Sequence, residues 1–402
     1  MGSTSGSSSQ VISLPKGGGA LHGIGEKFSP DLHTGTGNFT IPIALPPGRN
    51  GFQPQLNLVY STGSGNGPFG LGWSLSIPGV GRKTSKGIPR YDDARDTFIL
   101  SGAEDLVPVE QTGSTATRYQ PRTEGLFARI VHQHSAQDNY WSVHSKDGLV
   151  SRYGTPRPNP TPPSWSDPAI VRDHGALDRQ RIFGWKLTET RDPFGNLIQY
   201  DYMPDAGKAD AHEWSQPLLK QARYADYTDQ NQRRFLVSVS FEYEDRPDPF
   251  SDYRSGFEIR TTKRCARIVV QTHTGQDRLV REYRFGYAND PHNSVSLLTS
   301  VAVIGYDDAG TPIAELPPLE FGYTRFAPER RTFEAVGGEL PAGSLANQGL
   351  ELVDLFGNGL PDILELNGAV RYWRNLGDGR FDRPREMRDA PGGLRLADPG
   401  SS

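Results

Sequence analysis

Apolar and polar residues alternate along most of this chain. Gln55 to Tyr60 reads QLNLVY and puts Leu56, Leu58 and Tyr60 on one face. Leu236 to Glu244 reads LVSVSFEYE, with Val237, Val239, Phe241 and Tyr243 on one side and Ser238, Ser240, Glu242 and Glu244 on the other. Leu279 to Tyr287, LVREYRFGY, gathers Tyr283, Phe285 and Tyr287. A period of two marks a strand with one buried and one wet face. Turn residues separate the runs. Lys146-Asp147-Gly148 parts YWSVHS from LVSRYG, and Asp192-Pro193-Phe194-Gly195-Asn196 parts GWKLTETR from LIQYDY. His273-Thr274-Gly275-Gln276-Asp277 parts RIVVQ from RLVREYRF. Each is a turn signal, and Lys146-Asp147-Gly148 predicts a hairpin, because Gly beside Asp or Asn supplies the backbone angles of a tight reversal. Helical periodicity is scarce. Residues 205–232 are polar and predict a short helix or a long loop, and the Pro-rich residues 155–180 predict an irregular excursion.

This pattern predicts an all-β fold over residues 11–325, with many antiparallel strands forming a curved shell-like or sandwich domain. Residues 1–10 are rich in Ser and Gly and predict a flexible segment. Residues 326–402 behave differently. Pro341-Ala342-Gly343 and Ala346-Asn347-Gln348-Gly349 recur as Pro391-Gly392-Gly393 and Ala397-Asp398-Pro399-Gly400. A spacing of about 50 residues is that of propeller blades or a similar array. One repeat cannot bury its own face. The expectation is the first part of a β-propeller in a chain that continues past Ser402.

Composition narrows the picture. Gly (46) and Pro (32) are abundant in the 402 residues, and aromatics reach 10%, as many turns and strands require. A net charge of −4 argues against a general nucleic-acid partner, which needs a basic face to meet phosphates. No apolar run approaches the ~20 residues of a membrane helix. The N-terminus, MGSTSGSSSQVISLPKGGG, lacks the apolar segment of an ordinary signal peptide. The single cysteine, Cys265, rules out an intrachain disulfide and suits folding in a reducing cytoplasm.

Candidate chemistry is sparse. Glu351 to Phe381 contains Asp354-Leu355-Phe356-Gly357-Asn358-Gly359-Leu360-Pro361-Asp362. Calcium loops place oxygen ligands at alternate positions. Here Asp354, Asn358, Asp362 and the Leu360 carbonyl qualify, while Phe356 supplies no oxygen. Two carboxylates and an amide are few for an ion that takes 6–8 oxygens. Two readings stand: a degenerate Ca2+ site, or a Gly-rich turn held by side-chain bonds to the backbone. His132 and His134 share one face of a strand, but a zinc site needs further ligands that the sequence does not identify. Glu242-Tyr243-Glu244 has the E-x-E spacing of ADP-ribosylating toxins, yet both carboxylates lie on the wet side of an alternating strand. Gly63-Ser64-Gly65-Asn66-Gly67 and Gly70-Leu71-Gly72 lack the Lys-Ser/Thr and the helix of a phosphate loop and predict a tight loop seating the Trp73 strand. Cys265 reads as a buried thiol. No catalytic constellation emerges.

Larger blocks carry a resemblance. LPKGGGALHGIGEKF (Leu14–Phe28) and the run from Thr34 to Thr84 resemble the N-terminal domain of the SpvB family, named for the Salmonella virulence plasmid B protein. GIPRYDD (Gly87–Asp93), RYQPRTEG (Arg118–Gly125), WKLTETRDPFGNLIQYDY (Trp185–Tyr202) and GFEIRTTKRCARI (Gly256–Ile268) extend it over roughly residues 11–325. From about Gly343 the tail is similar to the FG-GAP/VCBS repeats that follow this domain in B subunits of ABC-type insecticidal toxin complexes. The resemblance implies a secreted, non-catalytic assembly module and no required cofactor. Its shell, completed by an RHS-containing C-type subunit, encloses a toxic cargo, and its propeller docks on a pore-forming A-type subunit. An alternative is the N-terminal carrier of an effector whose ADP-ribosyltransferase domain lies C-terminal to these residues. A surface- or sugar-binding module is a third.

Overall fold

The computed structural model describes residues 24–388 apart from 32–35, 102–103, 124, 126, 136–137, 164, 175–180, 211, 308, 325–331, 333 and 348. The segment 1–10 and the second copy of the repeat signature, from Pro391 to Gly400, lie outside the described residues. The chain divides into two units, Met1–Tyr323 and Thr324–Ser402. Among the described residues the elements are strands, apart from one short 3-10 turn at Arg49–Gly51.

The first unit opens with a four-stranded antiparallel sheet of β1 (Lys27–Asp31), β2 (Thr36–Pro42), β3 (Asn57–Ser61) and β4 (Trp73–Leu75). Next come β5 (Gly79–Arg82), β6 (Phe98–Leu100), β7 (Glu104–Thr112), β8 (Ala116–Pro121), β9 (Arg129–His134), β10 (Asn139–His144) and β11 (Val150–Tyr153), and from β6 onward each pairs with the one before. After β12 (Ile170–Arg172), strand β13 (Ile182–Arg191) closes this run into a ring. One edge of β13 takes β5, with Trp185 opposite Val80. Its other edge takes β12 and then β11, with Ile170 opposite Trp185 and Arg152 opposite Glu189. A closed ring leaves no free edge within it. Its interior holds Phe98, Ile130, His132, Trp141 and Trp185, none more than 1% exposed. The aromatics meet edge to face: Phe98 and Trp141 are 4.9 Å apart, and Trp141 and Trp185 5.8 Å.

From β13 the chain continues as a long antiparallel meander. Its strands are β14 (Leu197–Ala209), β15 (His212–Asp229), β16 (Gln232–Asp252), β17 (Ile259–Thr274), β18 (Gln276–Asn289), β19 (Ser296–Tyr306) and β20 (Pro312–Glu320). The predicted turns fall at Lys146–Gly148, Asp192–Asn196 and His273–Asp277. Gly148, Gly195 and Gly275 all adopt positive φ there. The expected alternation in β16 holds at Val237, Val239 and Phe241, which are buried, and at Glu242 and Glu244, which are exposed; Ser238, expected on the wet face, is instead 1% exposed and bonds His273 Nε2 at 2.8 Å. The apolar face of the meander covers the first sheet. Tyr283 Oη accepts from Ala44 N–H (2.7 Å), Tyr224 donates to the Pro46 carbonyl (2.5 Å), and Trp73 packs on Phe321 at 4.9 Å. The last strand, β20, has Pro312, Pro317 and Pro318, whose missing N–H groups blunt an edge.

One expectation needs correction. Residues 205–232 form neither helix nor loop; they lie mainly in the β14–β15 hairpin. Several of their polar side chains bond across strands. Arg223 pairs with Asp201 at 2.7 Å, and buried Asp205 accepts from the Thr262 N–H at 2.7 Å. Residues 155–180 are irregular as expected, with only β12 among those described.

The second unit is smaller. Strands β21 (Gly337–Gly338), β25 (Asn375–Gly377) and β26 (Arg380–Phe381) form one sheet. Strands β22 (Leu350–Val353), β23 (Asp362–Asn367), β24 (Ala369–Trp373) and β27 (Arg385–Glu386) form an antiparallel four-stranded one. Leu350, Ile363 and Trp373 make its core, with Phe381 packed against them.

Candidate functional site

The acidic loop joins β22 to β23, and its oxygens face backbone N–H groups. Asp354 Oδ1 accepts from Asn358 N–H (3.1 Å) and Oδ2 from Gly359 N–H (2.8 Å). Asn358 Oδ1 accepts from Leu360 N–H at 3.0 Å. Asp362 is fully buried; its carboxylate accepts from Leu355 N–H (3.1 Å) and from Asn375 N–H (2.7 Å). Gly357 and Gly359 take positive φ (65° and 79°), which lets the amides turn inward toward Asp354. The Gly359 amide first, then those of its neighbours, hold the Asp354 carboxyl below the usual carboxylate range. Asp354 and Asp362 thus anchor the two ends of the loop through different amides. Phe356 leans on Tyr372, ring to ring at 5.7 Å, and contributes packing. Among the described residues no cluster of three or more His, Cys, Asp or Glu has the arrangement of a metal site.

The two histidines share a face of β9, but their surroundings differ. His134 Nε2 bonds Thr117 Oγ1 at 2.9 Å near the rim. His132 is wholly buried and stacks flat on Trp141, 4.2 Å away at 3°. Its Nε2 meets Asn139 Oδ1 at 3.0 Å, and that oxygen also accepts from Trp185 Nε1 at 2.9 Å. Because a carbonyl oxygen faces it, Nε2 carries the proton. Nδ1 has no hydrogen-bond partner and lies 3.7 Å from Asp93 Oδ2. Burial pushes the imidazole down to about 4, against the pull of Asn139 and Asp93. Beside it, buried Arg82 donates to Asp93 (2.6 Å), Asp96 (2.7 Å) and the Ile182 carbonyl (2.8 Å). Its guanidinium sits 4.8 Å from the Phe98 ring centre. The ring therefore holds a charged node in which Arg82 is engaged with its own neighbours, while His132 Nδ1 lacks a hydrogen bond.

The remaining motifs are structural. Glu242 pairs with Arg267 (2.7 Å) and Glu244 with Arg264 (2.7 Å), so the E-x-E carboxylates are rungs of a cross-strand ion ladder. Arg267 also reaches Glu282 at 3.1 Å, which Arg284 and Tyr306 bond from the other side. The Gly-rich loop is held by buried Arg246, which donates to the Gly67 carbonyl (3.0 Å), Asn66 (2.9 Å) and Asp248 (2.9 Å). Burial alone would push the Asp248 carboxyl up; bonds from Arg246, Ser296 and Asn66 hold it far below its usual range. A Cβ on Gly70 would meet the Ser296 carbonyl oxygen at 2.8 Å, so only glycine permits this approach. Cys265 is fully buried and burial pushes its thiol up, while its amide donates to the Pro68 carbonyl at 2.7 Å. The Arg82–Asp93–His132 node and the Arg246–Asp248 anchor escaped sequence reading, because the groups they bring together, Arg82 with His132 and the Arg246–Asp248 pair with Asn66, Gly67 and Ser296, are far apart in the chain. The only local sign was charged residues inside strand runs.

Comparisons with known proteins follow this geometry. The family described as "Salmonella virulence plasmid 65kDa B protein" matches residues 31–243 and 224–274. The Mono(ADP-ribosyl)transferase SpvB of Salmonella choleraesuis (strain SC-B67) is 29% identical over 76% of this chain and 59% of its own length. That of Salmonella typhimurium is 30% identical over 65% of this chain and 50% of its own. The chain thus spans little more than half the length of these relatives. The Photorhabdus luminescens Tc holotoxin pore aligns over 94% of this chain and 20% of the matched chain, at 26% identity and a TM-score of 0.72. TcdB2-TccC3 aligns over 94% and 21%, at 27% and 0.70. The N-terminal domain of effector protein SpvB from Salmonella typhimurium strain LT2 aligns over 66% of this chain and 99% of that domain, at 27% and 0.57. No described helix is long and apolar enough to cross a membrane.

Proposed function

This chain belongs to the Salmonella virulence plasmid 65kDa B protein family, and from that premise we propose that it is a non-catalytic assembly module of a secreted toxin complex. The long meander contributes to the wall of a shell around a toxic cargo. The second unit is the start of a propeller that docks to a pore-forming A-type subunit, and an RHS-containing C-type subunit completes the shell. The observation that carries this reading is coverage. The Tc holotoxin pore and TcdB2-TccC3 match 94% of the chain, a share the first unit alone cannot supply, whereas the SpvB N-terminal domain matches 66%. The family's curated relatives favour a second reading, an N-terminal carrier for a C-terminal ADP-ribosyltransferase domain. Ion-paired Glu242 and Glu244 support a lack of transferase chemistry in these residues themselves. The test is co-expression of the full reading frame with candidate A-type and C-type subunits. Co-elution as a stable assembly on size exclusion is expected. ADP-ribosylation by the full product without subunit binding would overturn the proposal in favour of the carrier.

A further inference from the structure

Above the buried node, the ring opens into a cleft of about 830 Å³. That lies within the roughly 300–1,000 Å³ of small-ligand sites. Its walls come from the loop after β5, the β9–β10 rim, the irregular stretch between β11 and β12, and Arg181 at the entry to β13. The carboxylates that line it are engaged with the protein. Asp93 bonds Arg82 at 2.6 Å, and Asp138 accepts from the Arg157 backbone N–H at 2.7 Å. Asp167 accepts from the N–H groups of Thr155 (2.7 Å) and Ala169 (2.9 Å).

Arg82 is engaged likewise, but three other cations of the cleft, Arg90, Arg157 and Arg181, differ. Among the described residues neither Arg90 nor Arg157 has a carboxylate partner for its guanidinium. Arg181 lies at a long 3.8 Å from Asp173. Arg157 lies over Trp165 (5.7 Å to the ring centre) and Arg181 over Tyr91 (5.8 Å). A guanidinium resting on a ring is held in orientation while its N–H edge stays free, and that edge matches a carboxylate or phosphate in a paired fork. The same contacts occupy the aromatic faces on which a neutral sugar or base would stack.

We propose that this cleft binds a small multivalent anion, a di- or tricarboxylate or a phosphate ester, through the free edges of Arg90, Arg157 and Arg181. Such a ligand ties the loop after β5 to the β11–β12 stretch and to the start of β13. Binding therefore raises the thermal stability of the first unit.

The experiment is calorimetric titration of the purified chain with citrate and, separately, with pyrophosphate, at constant ionic strength. Thermal melts run in parallel. Saturable binding and a raised melting temperature are expected for at least one anion. Citrate alone would mark a carboxylate site and pyrophosphate alone a phosphate site; both support the proposal. The Arg90→Gln/Arg157→Gln double variant should lose about tenfold or more in affinity, since charge-assisted bonds are the strong ones. Both side chains are exposed, so its ligand-free melt should match the parent. Should it melt lower, Arg90→Lys/Arg157→Lys keeps the charge and loses the fork, and weakened binding is again expected. A remote control, Arg234→Gln on β16, should bind as the parent does. No saturable binding of either anion, or equal loss in the remote control, overturns the proposal.

Discussion

The closed ring and the second unit are both antiparallel β-structure, but they bury their apolar residues to different degrees. In the ring, β13 uses both edges to join β5 and β11, and the interior fills with Phe98, Tyr119, Ile130, Trp141 and Trp185. The four-stranded sheet of the second unit buries Leu350, Ile363 and Trp373, and leaves Leu352 and Phe356 each 48% exposed. A closed ring supplies its own second layer. An open sheet of a few strands needs another layer before it can bury a face, which is the usual condition of one repeat in an array. The first unit is thus built to stand on its own core, while the described residues of the second bury only a small one.

The sharpest way to break this comparison is to empty the ring. Trp185→Ala removes a side chain that is 1% exposed and should cost about 3–5 kcal/mol, read as a lower urea midpoint of the main transition. Trp373→Ala in the second unit should leave that transition in place. An equal shift from both variants would mean that the two units unfold as one. The next largest effect is expected at the Gly-loop anchor. Arg246→Ala leaves buried Asp248 without its cation and should cost about 3 kcal/mol, the low end for a broken buried pair, because Ser296 and Asn66 still bond the carboxylate. A cost below about 0.5 kcal/mol would place that pair with ordinary surface bridges.

A smaller, pH-dependent effect belongs to His132. Its folded pKa, about 4, lies below the ordinary value near 6.5. Between those values the unfolded chain binds the extra proton. The stability from the neutral, buried ring is therefore complete above about pH 6.5 and is lost as pH falls toward 4, at up to about 1.4 kcal/mol per pH unit. His132→Phe keeps a ring against Trp141 and removes the proton, so the slope of stability against pH should flatten. An unchanged slope would assign it to other groups. The smallest effect is expected in the acidic loop. Asp354→Ala should lower only the melting of the second unit, and curves in calcium and in chelator should overlay, because the carboxylates already face amides. A higher melting temperature in calcium would reassign Asp354, Asn358 and Asp362 as a metal site.

The sequence by itself determined the strands and their reversals. Alternation in Leu236–Glu244 and Leu279–Tyr287, and glycines at 148, 195 and 275, are local signals, because side-chain direction and backbone sterics act between near neighbours in the chain. The same locality explains where the reading failed. Residues 205–232 looked too polar for strands, since the partners that satisfy them, such as Thr262 for Asp205, lie on another strand. His132 and His134 look alike as an H-x-H pair, yet one is stacked in the core and the other bonds at the rim. Only the tertiary structure decided that β13 would close the ring, that Arg82 and Arg246 would be buried with carboxylate partners, and that Arg90, Arg157 and Arg181 would meet at its mouth. Those outcomes depend on which distant edges pair and which charges share a low-dielectric interior, and contacts of that kind leave no periodic trace in the chain.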